Sequence, residues 1–519
     1  MRDESTSVLV VGGGLVGLSA AVFLSWRGVS TVLVERHLGS SLHPRAIGFR
    51  PRTAELYRAV GLDFPPGPRG RHVPRRMRVE SLAGEWFEEL HWSPDVPADT
   101  PVIEYSPCTG VGLAQDGLEP ILRDKAVELG ADLRLGTELV SFEQDDDGVR
   151  AVLRDRDGVE STVAADYVVA ADGHRSPVRE ALGISRTGRG FMRTTRSMLF
   201  RAPLQEYVDR GVVQFQIDQP DFTAFLVAYG NDGRWVLFLH DGVDHDDDTL
   251  RAMALRAIGR DVDIEIITTG RWEVTASIAE SYRQGRVFLA GDAAHTLPPS
   301  RGGFGANVGI EDAHNLAWKL AAVLGGESKP DLLDSYEDER RPVALLCHDQ
   351  IFARPDARDE RVTDMPVIED AAMAFGILYR SAAIVGAGEE LPQALRPDEW
   401  TGQPGTRAPH LWLAENESIL DLLQHGWVLL AGHCAEWSIA AKHATEQTGI
   451  TVTCHQLRPD EFRHAYGLSP NGATLVRPDG YIAWRSVDLP TDPPAALTEA
   501  LCQVSTSPAC PPARPVLPR

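Results

Sequence analysis

Positive charge is scarce. The 519 residues hold 51 Lys and Arg against 74 Asp and Glu, a formal net charge of −23. That imbalance argues against nucleic acid or an anionic membrane as a main partner. No uninterrupted apolar run reaches the roughly 20 residues that cross a bilayer, so no membrane span is expected. The N-terminus lacks a basic leader and cleavage site and runs almost directly into an apolar strand. A cytoplasmic protein without a signal peptide is therefore expected. Cysteine is sparse as well. Cys108, Cys347, Cys434, Cys454, Cys502 and Cys510 show no metal-ligand spacing, so the expectation is single thiols in a reducing compartment, with neither a disulfide framework nor a metal site. Solenoid repeats are lacking too. The length leaves room for two or three domains, and 43% apolar and 24% charged residues are ordinary for globular ones.

What is present begins at Ser7–Arg36, SVLVVGGGLVGLSAAVFLSWRGVSTVLVER. An apolar run, Val8 to Val11, leads into Gly12, Gly14 and Gly17 in G-x-G-x-x-G spacing. A helical segment follows to Trp26, and Thr31–Val34 is a second strand ending in Glu35. Each glycine has a mechanical reason: Gly12 for the tight turn, Gly14 for close approach of backbone to a pyrophosphate, Gly17 for helix–sheet packing. The helix N-terminus offers free N–H groups to phosphate, and Glu35 can accept from a ribose hydroxyl pair. Arg36 can meet a 2′-phosphate, cover an adenine or stand in solvent. Arg45, in the loop beyond, can reach a pyrophosphate or remain solvated.

Further along, a helix is expected from about Gln115 to Leu129 with Leu118, Ile121, Leu122 and Ala126 on one face. Gln115 at its start can contact a ligand or cap the helix. Strands are expected over Leu133–Phe142 and Val149–Leu153. Tyr167–Ala171 reads as another strand, turned by Asp172 and Gly173 into a helix at Ser176-Pro177. An acid at the carboxyl end of a buried strand lies where open α/β sheets bind ligands. From Phe191 to Ile278 the chain is aromatic and β-branched, with runs such as VVQFQI, FTAFLVAY, RWVLFLH and RWEVTASI. These predict an antiparallel sheet able to roof a pocket. A second strong block, Gly285–Leu320, has a strand Val287–Ala290 ended by Gly291-Asp292. A Pro/Gly loop from Pro298 to Gly305 then leads into a helix through Trp318. Pro298 and Pro299 stiffen that loop. Pro342–Asp398 is expected to be mostly helical, and TGQPGTRAPH a linker. A small α/β domain follows, with a hairpin at Pro478-Asp479-Gly480. Cys434 has no C-x-x-C partner, so no thiol redox role is expected.

Taken together and in this order, GGGLVG with VER, HPRA, the Gln115–Pro120 helix start, AADGHRSPVR and GDAAHTLPPSRGGFGANVGIEDAHNLAWKL resemble the para-hydroxybenzoate hydroxylase-like (class A) flavoprotein monooxygenases. Within that family the chain is most similar to bacterial polyketide hydroxylases such as aklavinone hydroxylase. The resemblance implies an α/β (α+β overall) fold. Its parts would be a glutathione reductase-like, Rossmann-type FAD domain (1–75, 101–184 and 279–398), an inserted antiparallel-sheet substrate domain (76–100 and 185–278) and a C-terminal thioredoxin-like domain (401–519). It implies FAD, with NADPH or NADH as transient co-substrate. Gly12, Gly14 and Gly17 would cradle the pyrophosphate, Glu35 the adenosine ribose, Arg45 and Gln115 the pyrophosphate and ribityl side, and Asp292 the ribityl chain. Pro299, Gly305 and Asn307 would border the isoalloxazine, and Asp172 and Gly173 would serve both FAD and NAD(P)H.

The implied reaction is O₂-dependent hydroxylation of a polycyclic aromatic substrate through a flavin C4a-hydroperoxide. A Baeyer–Villiger or oxidase-type enzyme, or a non-catalytic FAD-binding auxiliary protein, would share the same motifs. Candidates on the substrate side are Tyr229, His240 and Gln216, with Pro298 lining the oxygen site through its carbonyl. A monomer or homodimer is expected.

Overall fold

The computed structural model describes residues 4–510, apart from 42–45, 65–74, 91–102, 231, 241, 300–302, 355–364, 433–434 and 458–459. The first sheet has at its centre four parallel strands in the order β15 (Val287–Leu289), β8 (Glu160–Ala170), β1 (Glu4–Val11), β2 (Thr31–Glu35). β5 (Asp132–Leu135) extends it beside β2, and β14 (Arg283–Gln284) closes the other edge. β6 (Glu138–Gln144) and β7 (Val149–Arg154) form an antiparallel flap on the first half of β8. Val8, Leu9 and Val10 are wholly buried, as expected of a parallel strand covered on both faces. α1 (Leu15–Trp26) is buried over most of its circumference, and α2 (Pro51–Ala59) and α3 (Gln115–Glu128) complete this layer.

The second sheet runs β16 (His295–Thr296), β13 (Glu265–Ala279), β9 (Arg186–Arg201), β12 (Arg234–Leu239), β11 (Phe222–Ala228), β10 (Val212–Gln219), β3 (Arg75–Val79), β4 (Trp86–Glu89). All of its pairings are antiparallel except β10 with β3. Alternation along the strands gives it two different faces. Phe215, Ile217, Leu226, Trp235, Leu237, Met198 and Phe200 point to one side, where Leu250, Ala254, Ala257 and Ile258 of a helix over Asp247–Ile258 cover them. The opposite face meets the first layer. Two short helices, α4 (Pro177–Ala181) and Gln205–Asp209, flank β9. Last comes a four-stranded sheet in the order Val452–Gln456, Trp427–Ala431, Ala473–Val476, Ile482–Ser486, packed against helices Ala435–Thr448 and Pro493–Ser505. No helix among the described residues is long and apolar enough to cross a membrane.

Three expectations need correction. Leu133–Phe142 is two strands, because Gly136 at φ 76° turns the chain from the partner β2 to the partner β7. The region beyond Pro342 is less helical than expected. One helix, Asp334–Ala353, carries Pro342 inside it, and up to Trp400 only Asp370–Phe375 and Pro397–Trp400 follow among the described residues. Finally, Cys502 and Cys510 form a disulfide, while Cys108, Cys347 and Cys454 are free thiols. The helix Pro493–Ser505 ends at Thr506 in the left-handed region (φ 51°), which folds the chain back so that Cys510 meets Cys502. Cys434 lies outside the described residues.

Candidate active site

The carboxyl ends of β1, β2, β8 and β15 share one edge of the first sheet because the strands are parallel. That register brings together Gly12–Gly14, Glu35, Asp172–Gly173 and Gly291–Asp292, residues drawn from three separate stretches of chain. A Cβ on Gly12 would come 2.3 Å from the Ala171 carbonyl oxygen, and one on Gly17 1.8 Å from that of Gly12. Both glycines are therefore required by packing. Gly14 differs: among the described residues only Glu119 Oε1, at 4.0 Å, is near its missing Cβ. It begins α1 with no side-chain cap, so the first N–H groups of the helix face an open cradle suited to phosphate. Glu35 accepts from Gly13 N (2.7 Å), His37 N (2.8 Å) and the His37 ring (2.6 Å). Arg36 is exposed beside it. Gln115 donates to Glu119 (2.6 Å), across the same opening.

Asp172 Oδ2 accepts from Val178 N, while Oδ1 is buried without a partner among the described residues. Burial raises its pKa. Arg179, from the same motif, donates to the Ala293 carbonyl and ties α4 to the Gly291–Ala293 turn. That turn is held from below. Asp312 accepts from Gly291 N (3.2 Å), the His295 ring (2.7 Å) and Arg340 (2.8 Å), all buried. Burial opposes its ionisation, yet His295 and Arg340 hold its carboxyl below the usual range. Asp312 and Arg340 escaped the sequence reading, although Asp312 stands within the GIEDAHNL part of the quoted block.

The long helix Phe304–Leu324 starts at Gly303, φ 59°, again without a side-chain cap. Gly305 stands in its first turn. The Asn307 side chain is fully engaged: Oδ1 accepts from Arg50 N (2.9 Å) and Thr53 Oγ1 (2.7 Å), and Nδ2 donates to Gly303 O (2.8 Å). It positions the helix start and leaves the backbone to face a ligand. Pro298 is buried, Pro299 exposed, and Asp292 half-buried. Arg45 lies outside the described residues.

The second sheet faces this edge with the side that its own core does not use. Gln216 pairs with Phe225, Phe225 with Phe238, and Phe238 with Ser197 in successive registers. Phe225 and Phe238 stack at 6.1 Å between ring centroids, and Trp272 meets Phe238 edge-on at 6.3 Å. Ile47 and Ala114 of the first layer pack into the same cluster. His240 lies 3.3 Å from Thr195 Oγ1, half-buried. Tyr229 is almost wholly buried below the Arg234 guanidinium, which pairs with Asp116 at the head of α3 (2.6 Å). Burial and Asp116 push the Tyr229 phenol above the ordinary tyrosine range. It stays protonated near neutrality and is a clamp between the layers, unsuited to take a proton.

Two family models cover this architecture: an FAD binding domain over residues 5–350 and an aromatic-ring hydroxylase C-terminal domain over residues 401–508. The chain belongs to the FAD-dependent aromatic-ring hydroxylases. It is 42% identical to the 4-methyl-5-nitrocatechol 5-monooxygenase of a Burkholderia species, over 96% of this chain and 97% of that one. It is 40% identical to the tetracenomycin A2 monooxygenase-dioxygenase of Streptomyces glaucescens, over the same shares. Among solved structures, a ternary complex of aklavinone-11 hydroxylase with FAD and aklavinone superposes with a TM-score of 0.86 at 36% identity, covering 98% of this chain and 100% of that one. The protein is an FAD-dependent monooxygenase with NAD(P)H as co-substrate. The open cradle at Gly14, the unpartnered Asp172 Oδ1 and the uncapped helix at Gly303 fit such a cofactor.

Proposed function

We propose that the chain hydroxylates a multi-ring phenolic or quinone-type aromatic compound, with one atom of O₂ entering the ring. The observation that carries this is the row Phe225–Phe238–Trp272 on the sheet face toward the cofactor edge. Its two centroid steps of 6.1 and 6.3 Å extend further than one benzene ring can cover. When bound, FAD takes up reducing equivalents from NAD(P)H and delivers activated oxygen to the substrate.

The chain's own residues do the rest. Gly12, Gly14 and Gly17 admit the pyrophosphate, joined by Gln115 and, on motif alone, Arg45. Glu35 holds the adenosine ribose, with Arg36 beside it. Asp292 takes the ribityl chain. Asp172 and Gly173 stand where FAD and nicotinamide both pass. Pro299, Gly305 and the Asn307-held helix start border the ring system, and Pro298 lines the oxygen side. The aromatic face keeps water out, which such chemistry requires. His240 is assigned to receive the phenolic proton, since imidazole exchanges protons near neutrality.

The same reading divides the chain into a glutathione reductase-like FAD domain (1–75, 101–184, 279–398), a substrate domain (76–100, 185–278) and a thioredoxin-like C-terminal domain (401–519). Sheet membership supports it: β1, β2, β8 and β15 share one sheet, and β3, β4 and β9–β13 another.

The test is NADPH and NADH oxidation by the FAD-loaded protein, with and without polycyclic phenols, while product mass and ring connectivity are determined. Stimulated oxidation with one oxygen added and the ring carbons intact supports hydroxylation. Insertion into a ring bond overturns it in favour of Baeyer–Villiger chemistry. Similarity to the nitrocatechol enzyme favours a second reading, a single-ring phenol; stimulation by catechols alone would establish it.

A further inference from the structure

Arg340 is wholly buried, and its planar guanidinium holds its donors in fixed directions. Nε donates to Asp312 (2.8 Å) and Nη2 to the Val308 carbonyl (3.0 Å). Nη1 donates to the Tyr379 hydroxyl and, at 3.5 Å, reaches Glu311. Two of these partners lead to the cofactor edge. Asp312 accepts from Gly291 N, in the turn that presents Asp292. Val308 follows Asn307 in the helix that starts at Gly303. Turn and helix are in direct contact: a Cβ on Gly309 would come 2.9 Å from Gly291 Cα. Tyr379 leads the other way. Its ring stacks on Tyr481, with centroids 4.0 Å apart and planes 5° from parallel. Tyr481 follows the hairpin residues Pro478-Asp479-Gly480 of the C-terminal sheet. Asp479 accepts from the Tyr481 N–H (3.3 Å) and from Trp318 Nε1 (3.1 Å). Both tyrosines are buried. A continuous line of contacts thus joins the C-terminal sheet to the Gly291–Asp292 turn: Tyr481, Tyr379, Arg340, Asp312, Gly291.

We propose that Tyr379 and Tyr481 are positioning residues for the flavin. Acting through Arg340 and Asp312, they set the place of the Gly291–Asp292 turn and of the helix that starts at Gly303, so that the C-terminal sheet steadies the cofactor through other residues. This rests on the reading above that gives Asp292 the ribityl chain, and it adds what holds Asp292 in place. The physical reason is the rigidity of Arg340. A buried guanidinium leaves a donor unpaired only at high cost. Without the Tyr379 hydroxyl, Glu311, already 3.5 Å from the same nitrogen, draws the plane toward itself. Asp312 and Val308 are then pulled along, because the donor directions cannot change independently. Stacking on Tyr481 keeps the Tyr379 hydroxyl where Arg340 needs it.

The test is titration of the full-length apoprotein with FAD, read from the change in flavin fluorescence, with circular dichroism and denaturant unfolding of each variant alongside. Tyr379→Phe removes one oxygen and keeps the ring. It is expected to weaken FAD about fivefold and to shift the absorption band of the bound flavin. Tyr481→Leu removes the stack and is expected to do the same, while Tyr481→Phe, which keeps the stack, stays within about twofold of wild type. Because both substitutions break one line, the double variant Tyr379→Phe/Tyr481→Leu should also lose only about fivefold. A purely structural contact would lower the unfolding midpoint and leave FAD affinity and the absorption band as in wild type. That result overturns the proposal, as does a double variant weakened by the product of the single effects, about 25-fold. If Tyr481→Leu does not fold, Tyr379→Phe decides alone. Asp292→Ala separates the proposal from the reading beneath it. If Asp292→Ala weakens FAD and the tyrosine variants do not, the positioning role falls and Asp292 keeps the ribityl chain. If Asp292→Ala binds FAD as wild type does, both fall.

Discussion

Two regions of the molecule bury polar groups, and they do it differently. Where the C-terminal sheet meets the FAD-binding layer, charge is dense and matched. Glu339 accepts from Arg477 (2.6 and 2.9 Å), Lys319 (2.9 Å), Asn315 (2.7 Å) and Ser381 (2.7 Å). Asp479 takes Arg477 and Trp318 Nε1, and Glu55 joins Arg52 to Arg407. Two residues there with a neutral side-chain atom left without a partner among the described residues, His314 (Nε2) and Asn315 (Oδ1), line a cavity with room for about one water. On the face of the second sheet away from its core, Gln216 Oε1 and Trp272 Nε1 have no hydrogen-bond partner among the described residues. A matched buried network fixes one part of the chain on another, whereas an unmatched buried group leaves a hydrogen bond for water or a ligand to make. The first region joins two parts of the chain, and the second belongs to the face assigned to the substrate in the proposed function.

The comparison breaks most visibly at Glu339. Glu339→Gln leaves Lys319 and Arg477 short of a buried counter-charge and should cost about 3–5 kcal/mol in denaturant unfolding. Adding Lys319→Met should recover part of the loss, because Lys319, pulled down to about 8 by burial against the pull of Glu339, then has no charge to bury. Failure of the second substitution to recover anything would mean that packing, not charge, was lost.

The same interface predicts a pH dependence. Burial, with Arg27 and Arg52 nearby, lowers the His314 pKa from 6.5 to about 3. The unfolded chain therefore binds the extra proton first. Stability from this group is intact above pH 6.5 and declines as pH falls toward 3, on the order of a few kcal/mol in total. His314→Gln should flatten that part of the profile relative to wild type. An unchanged slope in the variant would place the titration elsewhere.

Much of this was legible in the chain because local chemistry and fold agreed there. Gly12 and Gly17 announce themselves by spacing, and the packing that demands them was deducible. Asp172 and Asp292 were legible as acids ending apolar strands. The helix Asp247–Ile258 was also written in the sequence: Asp246 caps Thr249 N, Gly259 at φ 79° stops it, and Leu250, Ala254, Ala257 and Ile258 lie on one face. The neighbouring aromatic strands drowned that signal. The packing of Trp272 on Phe238, away from the core of its sheet, was not legible, because nothing local tells which face of a strand meets a core. The Cys502–Cys510 pair depends on a left-handed Thr506 that no cysteine spacing reveals.

Gly14 separates the two kinds of region at a single atom. Gly14→Ala adds a methyl where, among the described residues, only Glu119 Oε1 is near, so folding of the apoprotein should be little changed. The methyl would stand in the cradle assigned to the pyrophosphate, and FAD should bind roughly tenfold more weakly, the scale of one lost hydrogen bond to a charged group. Wild-type affinity in a titration of apoprotein with FAD would remove Gly14 from the cofactor site.

The smallest effect has the most telling sign. Gln216→Leu replaces an unsatisfied buried acceptor by a side chain that asks for no partner. A residue kept for architecture loses stability when its polar end is removed. One kept for a ligand should gain, here about 0.5–1 kcal/mol in the ligand-free protein, since the desolvation cost of Oε1 disappears. Thermal unfolding of the FAD-loaded protein without substrate reads the difference. A loss of stability in the variant would show that Gln216 already works within the fold, and would move it from the second region of this comparison into the first.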